Sequence, residues 1–163
     1  MTKRVAVVMG SSSDLKVMQK TLDLLKEFEV VAHVEVVSAH RTPFAMLDFA
    51  KNADGNGIKV IIAAAGGAAH LPGMIASATD LPVIGVPINS SNSIDGWDSL
   101  LSIAQMPKGV PVATMAIDGA ENAGLMALKI LAVADENLKK KLTLHREGLK
   151  EKVKKMNDDI SKG

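Results

Sequence analysis

Three short runs of uninterrupted apolar residues constrain this chain more than anything else in it: Val5 to Met9, Val60 to Ala65, and Val83 to Val86 with Pro87-Ile88 following. A strand apolar on both faces must be covered on both faces, which is the condition of a parallel sheet between two helix layers. The intervening segments carry the helical period. Leu15, Met18, Leu22, Leu25 and Phe28 follow the first run, and Pro43 opens a stretch with Phe44, Met46, Leu47, Phe49 and Ala50. Val31 to Val37 alternates instead, with His33 and Glu35 on one side, so it reads as an edge strand with His33 at the surface. Val110 to Ala116 reads as a fifth strand, and Pro111 within it suits the other edge. Strand and helix in strict alternation predict a three-layer αβα sandwich on a five-stranded parallel sheet in the flavodoxin-like order 2-1-3-4-5.

The 163 residues suffice for one domain with a real core. Aromatic residues make up only 2% and Tyr is absent, so that core is expected from Val, Ile, Leu, Ala and Met, with Trp97 as a packing anchor in a short helix before Pro107. Ala120 to Ala134 reads as a buried helix. Residues 1–134 are therefore expected to hold the sheet and its helices, with 135–163 as an appended C-terminal helix. Along Asp135 to Ile160, Leu138, Leu142, Leu149, Val153, Met156 and Ile160 fall at three- and four-residue steps or their sums. At 1.5 Å per residue these 26 residues extend about 39 Å, so the helix overhangs the domain; the stripe fits either a solvated helix or docking on a neighbouring subunit.

A net charge of +1 gives no overall field for nucleic acid. With no cysteine, disulfides, thiol nucleophiles and Cys-based zinc sites all drop out, and His33, His40, His70 and His145 show no metal-ligand spacing. No apolar run reaches membrane-spanning length and no signal-peptide pattern precedes Val5, so a cytoplasmic location and no membrane partner are expected.

The chemistry-bearing residues cluster just after strands. Ser38-Ala39-His40-Arg41-Thr42-Pro43 combines an imidazole able to move a proton near neutral pH, a permanent cationic fork, and a proline at a helix start whose free amides suit an anion. Gly10-Ser11-Ser12-Ser13-Asp14 fits a helix cap or a sugar-phosphate grip. Gly66-Gly67-Ala68-Ala69-His70-Leu71-Pro72-Gly73 fits a tight turn or a narrow, dry pocket of main chain, with His70 second to His40 as a reactive group. In the order 2-1-3-4-5 the carboxyl ends of strands 2, 1 and 3 are neighbours, so the three loops should meet in one crevice at the switch point.

Met9-Gly10-Ser11-Ser12-Ser13-Asp14, Val36-Val37-Ser38-Ala39-His40-Arg41-Thr42-Pro43 and Ala65-Gly66-Gly67-Ala68-Ala69-His70-Leu71-Pro72-Gly73, with Asp98 to Ile103 and Gln105-Met106-Pro107, resemble the PurE family of purine biosynthesis over residues 4 to about 134. The resemblance implies an N5-carboxyaminoimidazole ribonucleotide mutase, which moves a carboxylate from the exocyclic nitrogen to C4 of the imidazole. Its alternatives are a direct carboxylase using carbon dioxide and a non-catalytic nucleotide sensor. It further implies His40 as proton carrier and Ser13, Ser38 and Arg41 on the phosphate. Asp14 would take the ribose hydroxyls, with Ser11, Ala65, Gly66, His70 and Leu71 around the base and carboxylate. No metal or organic cofactor is implied, and the partners are a ribonucleotide substrate and a homo-octamer whose C-terminal helix reaches neighbouring subunits.

Overall fold

A computed structural model describes residues 3–162. Five strands, β1 (Val5–Met9), β2 (Ala32–Val36), β3 (Val60–Gly66), β4 (Val83–Ile88) and β5 (Ala113–Thr114), run parallel in the order β2-β1-β3-β4-β5. The α-helices among the described residues are α1 (Leu15–Glu27), α2 (Pro43–Asn52), α3 (Leu71–Ala76), α4 (Trp97–Ala104), α5 (Ala120–Ala132) and α6 (Glu136–Ser161). The three central strands β1, β3 and β4 are buried along essentially their whole length, as their double-sided apolar sequence requires. β2 pairs only with β1, and its outer residues Val34 and Val36 are exposed. On its other side His33 Nε2 donates to Glu35 Oε2 at 2.8 Å and its ring stacks on Phe49, a partly exposed pair that serves the sheet edge.

The register explains where function can sit. Met9 is opposite both Val36 and Ala64, and Gly66 is opposite Ile88, so four strands finish on one edge of the sheet. Backbone bonds continue the ladder just past the ends, Gly10 N to Ala64 O at 3.1 Å and Val37 N to Met9 O at 2.8 Å. Every loop leaving that edge is thereby placed beside its neighbour.

Two compact units divide the chain, Met1–Ala127 and Leu128–Gly163, with the boundary inside α5. The first holds the whole sheet, and the second is dominated by α6. Asp135 caps α6 by accepting from Leu138 N at 3.1 Å. Within the second unit Leu128, Leu131 and Leu138 are buried, whereas Leu144, Leu149, Val153, Met156 and Ile160 are exposed.

Three expectations need correction. The fifth strand is two residues, not seven: Pro111 has no N–H to offer, and Val110 is held in a turn by its bond to Pro107 O at 3.1 Å. α5 stops at Ala132 rather than Ala134. Trp97 is no packing anchor, being 61% exposed. α4 turns Ser99 and Ile103 inward, and a residue two before Ser99 lies about half a turn round the helix from it.

Candidate functional site

The β1 loop is a single 3-10 turn over Ser12–Asp14 whose cap is Ser11, accepting from Ser13 N at 3.3 Å. Asp14 occupies the cap position of α1 but makes no capping bond, so its carboxylate is not consumed in starting the helix. It is buried at 4% exposure, and the Ser13 hydroxyl lies 3.3 Å from Oδ1 and 3.0 Å from Ser11 Oγ. Burial pushes the Asp14 carboxyl above its ordinary value, opposed by hydrogen bonds from the Ser11 backbone and the Ser13 side chain.

The β2 loop closes on itself. Thr42 N donates to Ser38 O at 3.0 Å, and the Thr42 hydroxyl accepts from Ser38 N at 3.2 Å. Ser38 Oγ accepts from both Arg41 N and Arg41 Nε at 3.2 Å, while Arg41 Nη2 reaches across to Gly10 O at 3.0 Å. One guanidinium thus ties the β1 and β2 loops together and is left with further donors. Free amides at the start of α2 were expected to serve the site, but the cavity lining stops at Arg41 and does not reach them.

The β3 loop supplies the second imidazole. His40 Nε2 and His70 Nδ1 are 2.7 Å apart with the rings edge to face, so one proton bridges them. That contact leaves His40 Nδ1 and His70 Nε2 open among the described residues. Gly66 is required by its neighbours, because a Cβ there would run into the Ser90 hydroxyl, sit 2.5 Å from Ser90 Cβ and come within 3.1 Å of Ile88 O.

All ten residues picked from sequence line one cavity of about 960 Å³: Ser11, Ser13, Asp14, Ser38, His40, Arg41, Ala65, Gly66, His70 and Leu71. The expected narrow pocket is instead an open one: Ala65, Ala69 and Leu71 in its lining are buried, but His40 and His70 are exposed. The loop after β4, Asn89 to Asn92, also lines the cavity, as do Lys16, Val17, Lys20 and Asp118. Sequence reasoning missed these. The available signal was topological, since extending the switch-point argument by one strand brings the β4 loop beside that of β3.

The β4 loop is pinned at both ends. Asn89 N donates to Asp118 Oδ1 at 3.0 Å, Ser90 Oγ donates to Asn92 Oδ1 at 2.7 Å, and buried Ser99 donates to Ile88 O at 3.0 Å. Asp98 accepts from the Ser93 hydroxyl at 2.6 Å and from Ile94 N and Ser99 N at 3.0 Å, and these bonds, the hydroxyl foremost, hold its carboxyl below the usual range. Among the described residues no group of three or more His, Asp or Glu is arranged to hold a metal ion.

Fold and cavity together define an α/β protein of doubly wound type, with a cavity at the carboxyl edge of its sheet that brings a paired imidazole and a guanidinium together. Residues 4–152 match the family described as AIR carboxylase, and the chain belongs to that family, the PurE family to which its loops are similar. The N5-carboxyaminoimidazole ribonucleotide mutase of Haemophilus influenzae is 59% identical over 148 residues, covering 90% of each chain. The chloroplastic phosphoribosylaminoimidazole carboxylase of Vigna aconitifolia is 52% identical over 155 residues, which are 95% of this chain and 28% of that longer one. Treponema denticola PurE superposes with a TM-score of 0.79 at 25% identity, covering 95% of this chain and 96% of that one.

Proposed function

We propose that the protein is an N5-carboxyaminoimidazole ribonucleotide mutase, an isomerase of purine biosynthesis acting on a small ribonucleotide. The observation that supports this most is the meeting, in one cavity, of a paired imidazole from two loops with a guanidinium shared between two loops. The relatives that nearly match this chain in length are named mutases, whereas the longer Vigna aconitifolia protein is named a carboxylase.

The chemistry follows from counting protons. The bond between the exocyclic nitrogen and its carboxylate breaks, the electron pair stays on nitrogen, and nitrogen takes a proton from His40. Carbon dioxide is then attacked by C4, which forms the new C–C bond and still carries its hydrogen. His40, now neutral, removes that hydrogen and returns to its starting state. One imidazole acts as acid and then base, so no proton is gained or lost overall. His70, hydrogen-bonded to the far nitrogen, fixes the ring's orientation, while Ala65, Gly66 and Leu71 with Ser11 floor the carboxylate end. Ser13, Ser38 and Arg41 take the phosphate, and Asp14 takes the ribose hydroxyls.

The deciding experiment supplies N5-carboxyaminoimidazole ribonucleotide in bicarbonate-depleted buffer. A mutase converts it at an initial rate indifferent to added bicarbonate. Turnover of 5-aminoimidazole ribonucleotide that rises with bicarbonate, with no conversion of the carboxylated substrate, would make it a direct carboxylase instead. Binding without any turnover would make it a sensor.

Asp14 offers a second measurement. Because burial raises its carboxyl, the folded chain keeps that proton to higher pH than the unfolded chain does. Stability therefore falls as pH rises from the unfolded value through the folded one, and the deficit is full above it. Asp14→Asn is expected to raise Tm at neutral pH, to give no gain well below the unfolded value, and to weaken ribonucleotide binding about tenfold or more, as loss of a charged hydrogen-bond partner does. Melting curves at the two pH values and a binding isotherm check it; a lower Tm at neutral pH would refute the burial penalty.

The exposed stripe Leu149, Val153, Met156 and Ile160 on α6 belongs, in this reading, against a neighbouring subunit of a homo-octamer. Light scattering should return the mass of eight chains. No helix among the described residues is long and apolar enough to cross a membrane. We place the protein in the cytoplasm, since its charged ribonucleotide substrate does not cross a bilayer unaided.

A further inference from the structure

The mouth of the cavity carries two lysines that the reaction above does not use. Lys16 and Lys20 are four apart on α1 and line the cavity together with Val17. The opposite face of α1, with Met18, Thr21, Leu24 and Leu25, is buried, which fixes the rotation of the helix and hence the side on which the lysines stand. Elsewhere the chain pairs lysines with carboxylates: Lys59 with Asp54 at 2.7 Å, Lys139 with Glu136 at 3.2 Å and Lys150 with Glu147 at 3.0 Å. Lys16 and Lys20 make no such pair among the described residues, and the nearby Asp23 accepts instead from Gln19 at 2.8 Å.

The remaining charges on the lining leave the mouth cationic. Arg41 adds a third positive group to the same lining. The two carboxylates on the lining face it less openly: Asp14 is buried at 4% exposure, and Asp118 is engaged by Asn89 N at 3.0 Å. A concave site lined by one sign of charge raises the local concentration and the association rate of ligands of the other sign.

We infer that Lys16 and Lys20 form a capture rim for phosphate monoesters, drawing the ligand's dianionic phosphate into the cavity without touching the reacting atoms. The identity of the ribonucleotide rests on the mutase reading; the attraction to a sugar phosphate does not. Because the two ammonium groups act through solvent at the rim, their effect is long-ranged and screened by salt, unlike the short contacts of Ser38 and Arg41.

The test is the double variant Lys16→Gln/Lys20→Gln, with Lys16→Glu/Lys20→Glu as its stronger form, both at exposed helix positions where glutamine and glutamate are good helix formers. Ribose 5-phosphate and ribose are titrated into wild type and variants by calorimetry at low salt and again near 0.5 M, where the screening length is about 4 Å. The glutamine pair should bind ribose 5-phosphate about three- to tenfold more weakly at low salt, the glutamate pair more weakly still, and all should converge at high salt. Affinity for ribose should not move. With the carboxylated ribonucleotide, kcat/KM should fall in the same proportion while kcat stays unchanged. An unchanged affinity at low salt, a loss that persists at high salt, or an equal loss for ribose overturns the capture rim. Lysine-dependent binding of ribose 5-phosphate by a wild type that turns nothing over would support the rim and remove the mutase reading.

Discussion

His40→Asn should lower kcat by at least about two powers of ten while leaving ribonucleotide affinity within a few-fold of wild type. Positioned acid–base groups contribute roughly 10²–10⁴ to rate, and in the proposed reaction one ring serves two proton transfers in each turnover. Asparagine is close to histidine in size and polarity, but its amide ends one bond short of the Nε2 position, so the 2.7 Å contact with His70 Nδ1 goes with the proton carrier and binding is the readout that shows the loops still in place. The amide cannot carry a proton at neutral pH. Both transfers are then lost together: nitrogen leaves without an acid, and the hydrogen on C4 has no base. Isotope substitution at C4 adds a signature that misfolding would not produce, because the residual reaction should become limited by removal of that hydrogen. The proposed phosphate and ribose contacts lie on Arg41, Ser38, Ser13 and Asp14, and the side-chain hydrogen bonds these residues make run to one another and to Gly10 and Ser11, not to His40. Near-normal turnover in the variant would take His40 out of the reaction.

The legible part of this fold was the part written in burial. β1, β3 and β4 are apolar on every residue because both faces are covered, and that pattern alone requires helices on either side of a parallel sheet. The site was legible because the strand order converts three separate loops into one cavity, and each carries residues in excess of what a turn needs. Asp14 shows the difference: a capping role and a ligand role compete in sequence, and its uncapped, buried carboxylate favours the second. What stayed hidden depends on rotation and length rather than on residue type. Nothing in Trp97 itself says which way α4 turns; that is set by Ser99 and Ile103 packing inward. β5 shrank because an edge strand next to a proline has little ladder to join. Lys16 and Lys20 look like ordinary solvent-facing helix residues until the loops opposite them are in place.

Arg41→Ala should weaken ribonucleotide binding by about 100-fold, close to 3 kcal/mol, with kcat at saturation far less affected. The magnitude follows if the proposed phosphate accepts two charge-assisted hydrogen bonds from Arg41 at about 1.5–3 kcal/mol each, less what water recovers in so open a cavity. Arg41 is already oriented before ligand arrives. Nε is held by Ser38 Oγ at 3.2 Å and Nη2 by Gly10 O at 3.0 Å, so little rotamer freedom remains to be lost on binding. Arg41→Lys keeps the charge but not the fork, and it should recover only part of the affinity because an ammonium cannot span Ser38, Gly10 and a phosphate oxygen together. Salt separates this contact from the rim lysines. The loss in Arg41→Ala should persist near 0.5 M salt, where the contribution of Lys16 and Lys20 is screened away, because a direct ion contact lies inside the screening length. Titration of the nucleotide and of its nucleoside completes the case: the nucleoside should bind wild type and Arg41→Ala alike. Equal affinity of wild type for the two ligands would mean that no phosphate is held there.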